Sequence, residues 1–281
     1  MTRHTYRRSV NTFMLGACIA CAAICIGVLL FILGYVVVQG IAFINLDLFL
    51  KTPKPLGESG GGVANSIVGT VVMVTIATAI AVPAGIGAGI FVSEFASPRV
   101  GDAIRFTADV MTGIPSIVVG LFVYLVVVLR AGSFSGWAGG IALAVIMLPI
   151  LARTSEEMLK LVPTSHREAA LALGVPQWRS ILSVVLPGAR RGLLTGVLLS
   201  VARAAGETAP LLFTSLGSRF LATNPNQTMD ALPLRIYRYA TGPYTEWHQQ
   251  AWASALVLVV MVLAFSIIAR VALGRESSPN R

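Results

Sequence analysis

A run of apolar residues over about 14–39, with Arg3, Arg7 and Arg8 in front of it, limits what this chain can fold into. About 20 apolar residues in a helix cross the hydrocarbon core of a bilayer, where every backbone amide has to be paired inside the segment. The run is about 25 residues long, well beyond the 7–15 of a cleaved signal sequence, and reads as a retained first span. Comparable runs recur at about 65–91, 104–129, 137–158, 188–214 and 248–271, making six. Only 12% of the residues are charged, about half the proportion of a soluble domain. The runs are continuous rather than alternating, which argues against a barrel and for an all-α membrane protein.

Six spans place both termini on one side. Fourteen of the 21 Lys and Arg then fall in segments on that side and six on the other, with Arg203 inside a span. By the positive-inside rule the termini are cytoplasmic. This asymmetry accounts for the net charge of +9 without any nucleic-acid partner. Residues 1–13 are expected as a cytoplasmic lead, 14–39 as the first span, 65–272 as a five-helix core and 273–281 as a cytoplasmic tail. The stretch KTPKPLGESGGG and the segment 215–247 read as outer loops. Cys18, Cys21 and Cys25 share a face of the first span and read as packing residues. His4, His166 and His248 are scattered near span ends and loops, so no metal site is expected.

The polar interruption 163–187 lies between the fourth and fifth spans. Ser165 and Glu168 have the S-x-x-E spacing of a capping box, so a helix is expected from His166. Gly174 can end it in the left-handed conformation, and Pro176 suits the start of a second helix. In that second helix Trp178, Ile181, Leu182 and Val185 form an apolar face, with Gln177, Arg179, Ser180 and Ser183 off it. A bent amphipathic pair on the cytoplasmic side is suited to docking another protein.

Within the spans, Gly85 and Gly89 have the GxxxG spacing of close helix packing. Pro115, in TGIPS, is expected to kink the third span. Arg203 and Glu207 lie inside the fifth span, where a lone charge costs roughly 2.5–3.5 kcal/mol on insertion scales. They can pair at i, i+4. They also continue a stripe with Gly192, Gly196 and Ser200 that suits a bundle interior or an aqueous path. A guanidinium with several donors fits an oxyanion there. The chain has no G-x-x-x-x-G-K-[ST] loop, so any transport draws on an ion gradient or a separate ATPase.

Glu168-Ala169-Ala170, Gly174 and Leu186-Pro187 resemble the EAA signature of ABC importer permeases, EAA-x3-G-x9-I-x-LP, with Val184 where the pattern prefers Ile. The resemblance implies a type I, MetI-like permease fold. In that fold 163–187 forms coupling helices that fit a cleft on an ATP-binding subunit. ARAAGETAPLLFT at 202–214, GIPSIVVGLF at 113–122 and LARTSEEMLKLVP at 151–163 are similar to permeases of phosphate-specific importers. That likeness implies a second, related permease subunit, an ATPase dimer using ATP and Mg, and a periplasmic or lipid-anchored phosphate-binding protein. It implies a place in the bacterial cytoplasmic membrane and no cofactor held by this chain. It also implies a substrate path at Arg203 and Glu207 and matches Arg153, which could equally anchor its helix at the inner face; Ser200, from the stripe, and Ser116 are expected to join that path. Permeases for sulfate, molybdate or phosphonate remain close alternatives. Others are a secondary transporter with an Arg203–Glu207 ion relay and, lacking any nucleophile or metal constellation, a lipid-modifying enzyme.

Overall fold

Two helices packed face to face form the centre of the molecule. In the computed structural model, which describes residues 3–55, 58 and 60–274, these are the third and seventh of thirteen α-helices. The first, α1 (Arg3–Ile41), is followed by the short α2 (Leu46–Leu50), which Asn45 caps by accepting from the Leu48 amide at 2.8 Å. This turn comes just before the stretch KTPKPLGESGGG expected to be loop, whose described residues form no helix. Of that stretch Leu56, Gly57 and Ser59 lie outside the described residues, as do 275–281 of the expected tail.

The central pair is α3 (Ala64–Glu94) and α7 (Gly136–Lys160). Their closeness follows from glycine. A Cβ on Gly85 would stand 2.5 Å from the Leu151 Cβ, and one on Gly89 would stand 2.5 Å from the Ser155 Cβ. With no hydrophobic drive between helices in lipid, such van der Waals contact is what holds them. Met73, Ala77, Ala81, Leu143, Met147 and Leu151 fill the seam, and Val201, Ala204 and Leu211 cover it. The apolar window of α7 is 61% buried, against 28% for α3, so α7 is the middle of the bundle. At the other extreme the window of α1 has nothing buried, and this helix meets the body near its end, where Tyr35 packs edge-on to Trp252.

The third span is broken rather than kinked. It runs as α4 (Pro98–Gly113) and α5 (Ser116–Val123), then a π-helical turn (Tyr124–Val128) and α6 (Leu129–Ala131), with a 100° bend between the halves. Pro115 pushes Ile114 out of the helical region, to φ −70° and ψ 129°, and takes up φ −56° and ψ 134° itself. Five helices are long and apolar enough to cross a membrane, and this bent pair makes the sixth if taken as one span.

The fifth span also departs from expectation. After α8 (Thr164–Ala172), α9 (Gln177–Ser180) runs through a π-helical turn (Ile181–Val185) directly into α10 (Leu186–Ala205). Pro187, in the first turn of α10, has no amide to donate, and the wider turn just before it accommodates the carbonyl its ring would strike. The helix then stops at Gly206, and α11 (Ala209–Thr214) starts afresh, with Pro210 in its first turn. Glu207 therefore lies in a break and not inside a continuous span. Beyond it α12 (Leu232–Ala240) lies within the outer segment, and α13 (Thr245–Gly274) returns across the body.

The outer segment is folded tightly onto α3. The Asp230 carbonyl oxygen is 1.9 Å from where a Gly69 Cβ would be. The Asp230 carboxylate pairs with Arg235 at 2.5 Å and accepts from the Ser66 hydroxyl at 2.7 Å, all three being buried. The Leu232 amide donates to Thr70 Oγ1 at 2.8 Å, and Asn65 donates to the Ser218 carbonyl at 2.5 Å.

Candidate functional site

The two breaks, at 114–115 and 206–208, lie close together. The halves they separate cross at Gly120 and Pro210, where a Cβ on Gly120 would be 2.6 Å from the Pro210 Cα. Beside this crossing is a cavity of about 300 Å³ lined by Thr112, Ile114, Ser116 and Phe122 of the broken third span, Ile146 and Ile150 of α7, and Arg203 of α10. Its wall is apolar except for two hydroxyls and one guanidinium. Arg203 is half exposed, its Nε standing 3.7 Å from Glu207 Oε1. That distance makes an ion pair and not a hydrogen bond, so the donors of Arg203 are left to the cavity. Ser116 heads α5, where the first amides have no acceptor within the helix. Donors at a helix break lined by apolar side chains can replace the hydration of an anion, the arrangement that discontinuous membrane helices use for anionic substrates.

Of the residues expected to share a path, Arg203 and Ser116 line this cavity, and Glu207 joins it through its ion pair with Arg203. Ser200 does not: it is fully buried, and its hydroxyl donates to the Val197 carbonyl at 2.9 Å. The stripe below it is a packing face. A Cβ on Gly192 would overlap Met158, and one on Gly196 would overlap Thr154, so these glycines let α10 approach α7. Arg153 lies one turn from Ile150 along α7, outside the cavity lining. It pairs with Asp109 at 3.1 Å and with Glu156 at 3.3 Å.

Glu156 is a centre that the sequence did not single out. It is buried, accepts from Arg105 Nε at 2.6 Å, and also pairs with Lys160. Arg105 reaches Asp102 at 2.7 Å as well. One buried carboxylate with three cations ties the inner half of the broken span, α4, to α7. The spacing of Arg153, Glu156 and Lys160 on one helix face was a legible signal. The Arg105 partner, 51 residues away, was not.

In the interruption, α8 begins two residues earlier than the capping-box spacing suggests. Pro163 is its cap and no side chain caps it, which leaves Glu168 exposed in the second turn instead of bonded back to Ser165. A proline fixed near φ −57° already sets the chain for a helix from Thr164, so the later serine is not needed as a start. Gly174 has the expected left-handed backbone, φ +77°. Its amide donates to Leu171 O at 2.9 Å and that of Val175 to Ala170 O at 3.1 Å, the two bonds of a Schellman ending. Ala169 is exposed and Ala170 buried, while Leu186 and Pro187 open α10. The expected apolar face divides. Ile181, Val185 and also Ser180 are buried against the body, whereas Trp178 and Leu182 point outward with Leu171 and Leu173. These four exposed side chains flank the Gly174 turn in sequence.

Residues 81–275 match the family described as binding-protein-dependent transport system inner membrane component. The chain belongs to this family of transport permeases. The phosphate transport system permease protein PstA of Yersinia pestis is 44% identical over 275 residues, 98% of this chain and 93% of that protein. Its namesake in Haemophilus influenzae is 42% identical over 270 residues, 95% of each. Among solved structures, a bacterial ABC transporter involved in import of the acidic polysaccharide alginate matches with a TM-score of 0.63 at 13% identity, covering 98% of this chain and 100% of that one. An inward-facing MetNI methionine ABC transporter matches at 0.58 and 21%, covering 78% and 95%. These two show that the binding-protein-dependent permease has the all-helical, MetI-like importer fold.

Proposed function

We propose that this permease carries inorganic phosphate across the bacterial cytoplasmic membrane as a subunit of an ATP-driven importer. The observation that carries the reading is Arg203, a cation opening into an apolar cavity where two spans are broken. The namesakes among its relatives support phosphate as the cargo. A binding protein, periplasmic or lipid-anchored, delivers the anion at the outer segments. A second permease subunit completes the path. Two ATPase subunits, which use the ATP and Mg, engage the cytoplasmic face; this chain hydrolyses nothing and binds no cofactor. Both termini and 163–187 are cytoplasmic in this reading.

The physical steps follow from the groups present. In a cavity with apolar walls the effective dielectric is low, so the attraction of Arg203 for an oxyanion exceeds what it would be in water. The Ser116 hydroxyl offers a further hydrogen bond, that of Thr112 being already donated to the Ala108 carbonyl at 2.9 Å, and Glu207 competes for the same guanidinium. That competition keeps the anion from being held too tightly to leave. Arg153, one turn nearer the cytoplasm and already shared with Asp109 and Glu156, is the next cation on the way out. Exposed Leu171, Leu173, Trp178 and Leu182 form the ATPase docking surface, and the Schellman turn at Gly174 fixes its shape. Nucleotide-driven closure of the ATPase pair moves that surface and alternates access to the cavity.

Replacing Arg203 tests this. In the complete complex, Arg203→Gln abolishes phosphate uptake and Arg203→Lys leaves a fraction, since one ammonium replaces a fork of donors. Full uptake by a stable Arg203→Gln complex would remove the cavity from the path.

A further inference from the structure

The docking segment is tied to the membrane body through Arg167 on α8. Its Nη1 donates to the Val162 carbonyl at 2.6 Å, and Nη2 donates to the Leu159 carbonyl at 2.8 Å and to Glu94 Oε1 at 3.0 Å. The Leu159 carbonyl is in the last turn of α7, the negative end of its dipole, where acceptors lack helical partners, and the Val162 carbonyl lies just beyond it. Glu94 is the last residue of α3. Its side chain is 9% exposed and that of Arg167 20%, so the pair is largely removed from water. Gln177, on the other side of the Gly174 turn, donates to the Glu94 carbonyl at 3.2 Å. Both arms of the docking segment thus grip the same helix end.

The opposite end of α3 holds the outer segment. Asn65, Ser66, Gly69 and Thr70, all in its first two turns, bind or abut Ser218, Asp230 and Leu232. One helix of 31 residues, roughly 45 Å at 1.5 Å per residue, therefore has the docking segment on its last residue and the outer segment on its first turns. Arg167 Nε adds a second feature: it is buried and has no partner. The present pairing with Glu94 uses one donor. A side-on arrangement using Nε and Nη2 is open to the same two residues and would satisfy the spare donor.

We propose that Arg167 and Glu94 are positioning residues that act as the joint between docking segment and α3, switching from one to two hydrogen bonds as the segment is displaced and drawing the outer segment with it. This rests on reading 163–187 as the ATPase dock. The test uses the whole complex in proteoliposomes, with inorganic phosphate and its binding protein. It compares ATP hydrolysis with and without loaded binding protein in Glu94→Gln, Arg167→Gln and the double variant. Each single variant is expected to retain its ATPase subunits and basal hydrolysis but to lose stimulation by about tenfold, within the usual range for coupling between sites. The double variant should be no worse than either single, because both remove one interaction. Wild-type stimulation in the singles, or losses that multiply in the double, would overturn the proposal. So would loss of the ATPase subunits from the variants, since Arg167 would then be shaping the dock and not transmitting from it. A wild-type complex that never holds the ATPase would instead overturn the docking reading itself.

Discussion

Replacing Asp230 with Asn changes one oxygen for one nitrogen, yet it should release the whole outer segment. Asp230 is fully buried, and Arg235, only 3% exposed, relies on it for charge balance at 2.5 Å. The remaining Arg235 contacts are neutral, namely the Ser66 hydroxyl at 3.3 Å, the Tyr239 hydroxyl at 3.3 Å, the Tyr239 ring at 5.0 Å and the Ser218 carbonyl at 3.5 Å. None of them offsets a buried positive charge. Removing one member of such a pair costs about 3–5 kcal/mol, and with a factor of ten per 1.4 kcal/mol the opening equilibrium should rise by roughly two to three and a half orders of magnitude. Hydrogen exchange resolves this locally. Amides in 216–240 should lose protection by that factor, while those in the α3–α7 seam stay as they were. A double variant, Asp230→Leu with Arg235→Met, should regain most of the protection, because no buried charge is left unpaired and Arg238, the second cation on Asp230, is 35% exposed. Protection within about threefold of wild type in Asp230→Asn would refute the claim that this ion pair holds the segment.

Other outcomes follow from contacts elsewhere. Gly85→Leu should lower the thermal unfolding midpoint in detergent, since the added Cβ meets Leu151 at 2.5 Å and overpacking costs about 1–3 kcal/mol. Gly87→Leu, with open space at its Cβ, should not lower it, and an equal effect at both positions would contradict close α3–α7 packing. Leu173→Asp and Trp178→Asp should unfold like wild type but purify without ATPase subunits, and normal retention would remove these side chains from the dock. Gly174→Val should cost about 1–2 kcal/mol at its left-handed backbone and weaken ATPase retention, whereas Gly174→Asn should be tolerated. Equal retention by both would show that the turn does not set the shape of the docking surface.

The parts of this architecture that rest on local pattern were open to sequence reading. Apolar runs gave the spans because lipid leaves the backbone no other partner, and the EAA spacing gave the turn at Gly174 because only a few residues accept positive φ. What failed depends on where a side chain goes after the chain has folded. The periodicity of Trp178, Ile181, Leu182 and Val185 marks an apolar face. It cannot say that half of that face stays uncovered while Ser180 is buried. Pro115 announced a weak point, but a kink and a 100° break begin from the same missing amide. Pro210, four residues beyond Gly206, held the same warning for the fifth span and was read as part of a continuous helix. The buried carboxylates were least legible. Asp230 meets Ser66 across 164 residues and Glu156 meets Arg105 across 51, so only the fold identifies them. At the cavity, the sequence brought out Arg203, Glu207 and Ser116 through residue type. Ser200 went with them because a stripe of small and polar residues looks alike whether it lines a path or lets two helices touch.

The most direct test of the account is phosphate uptake into vesicles that contain the complete complex, both permease subunits, the ATPase pair and the binding protein. The account predicts uptake that requires ATP, survives a protonophore, resists competition by excess sulfate and disappears with Arg203→Gln. Uptake that persists without ATP and collapses with the proton gradient would contradict it.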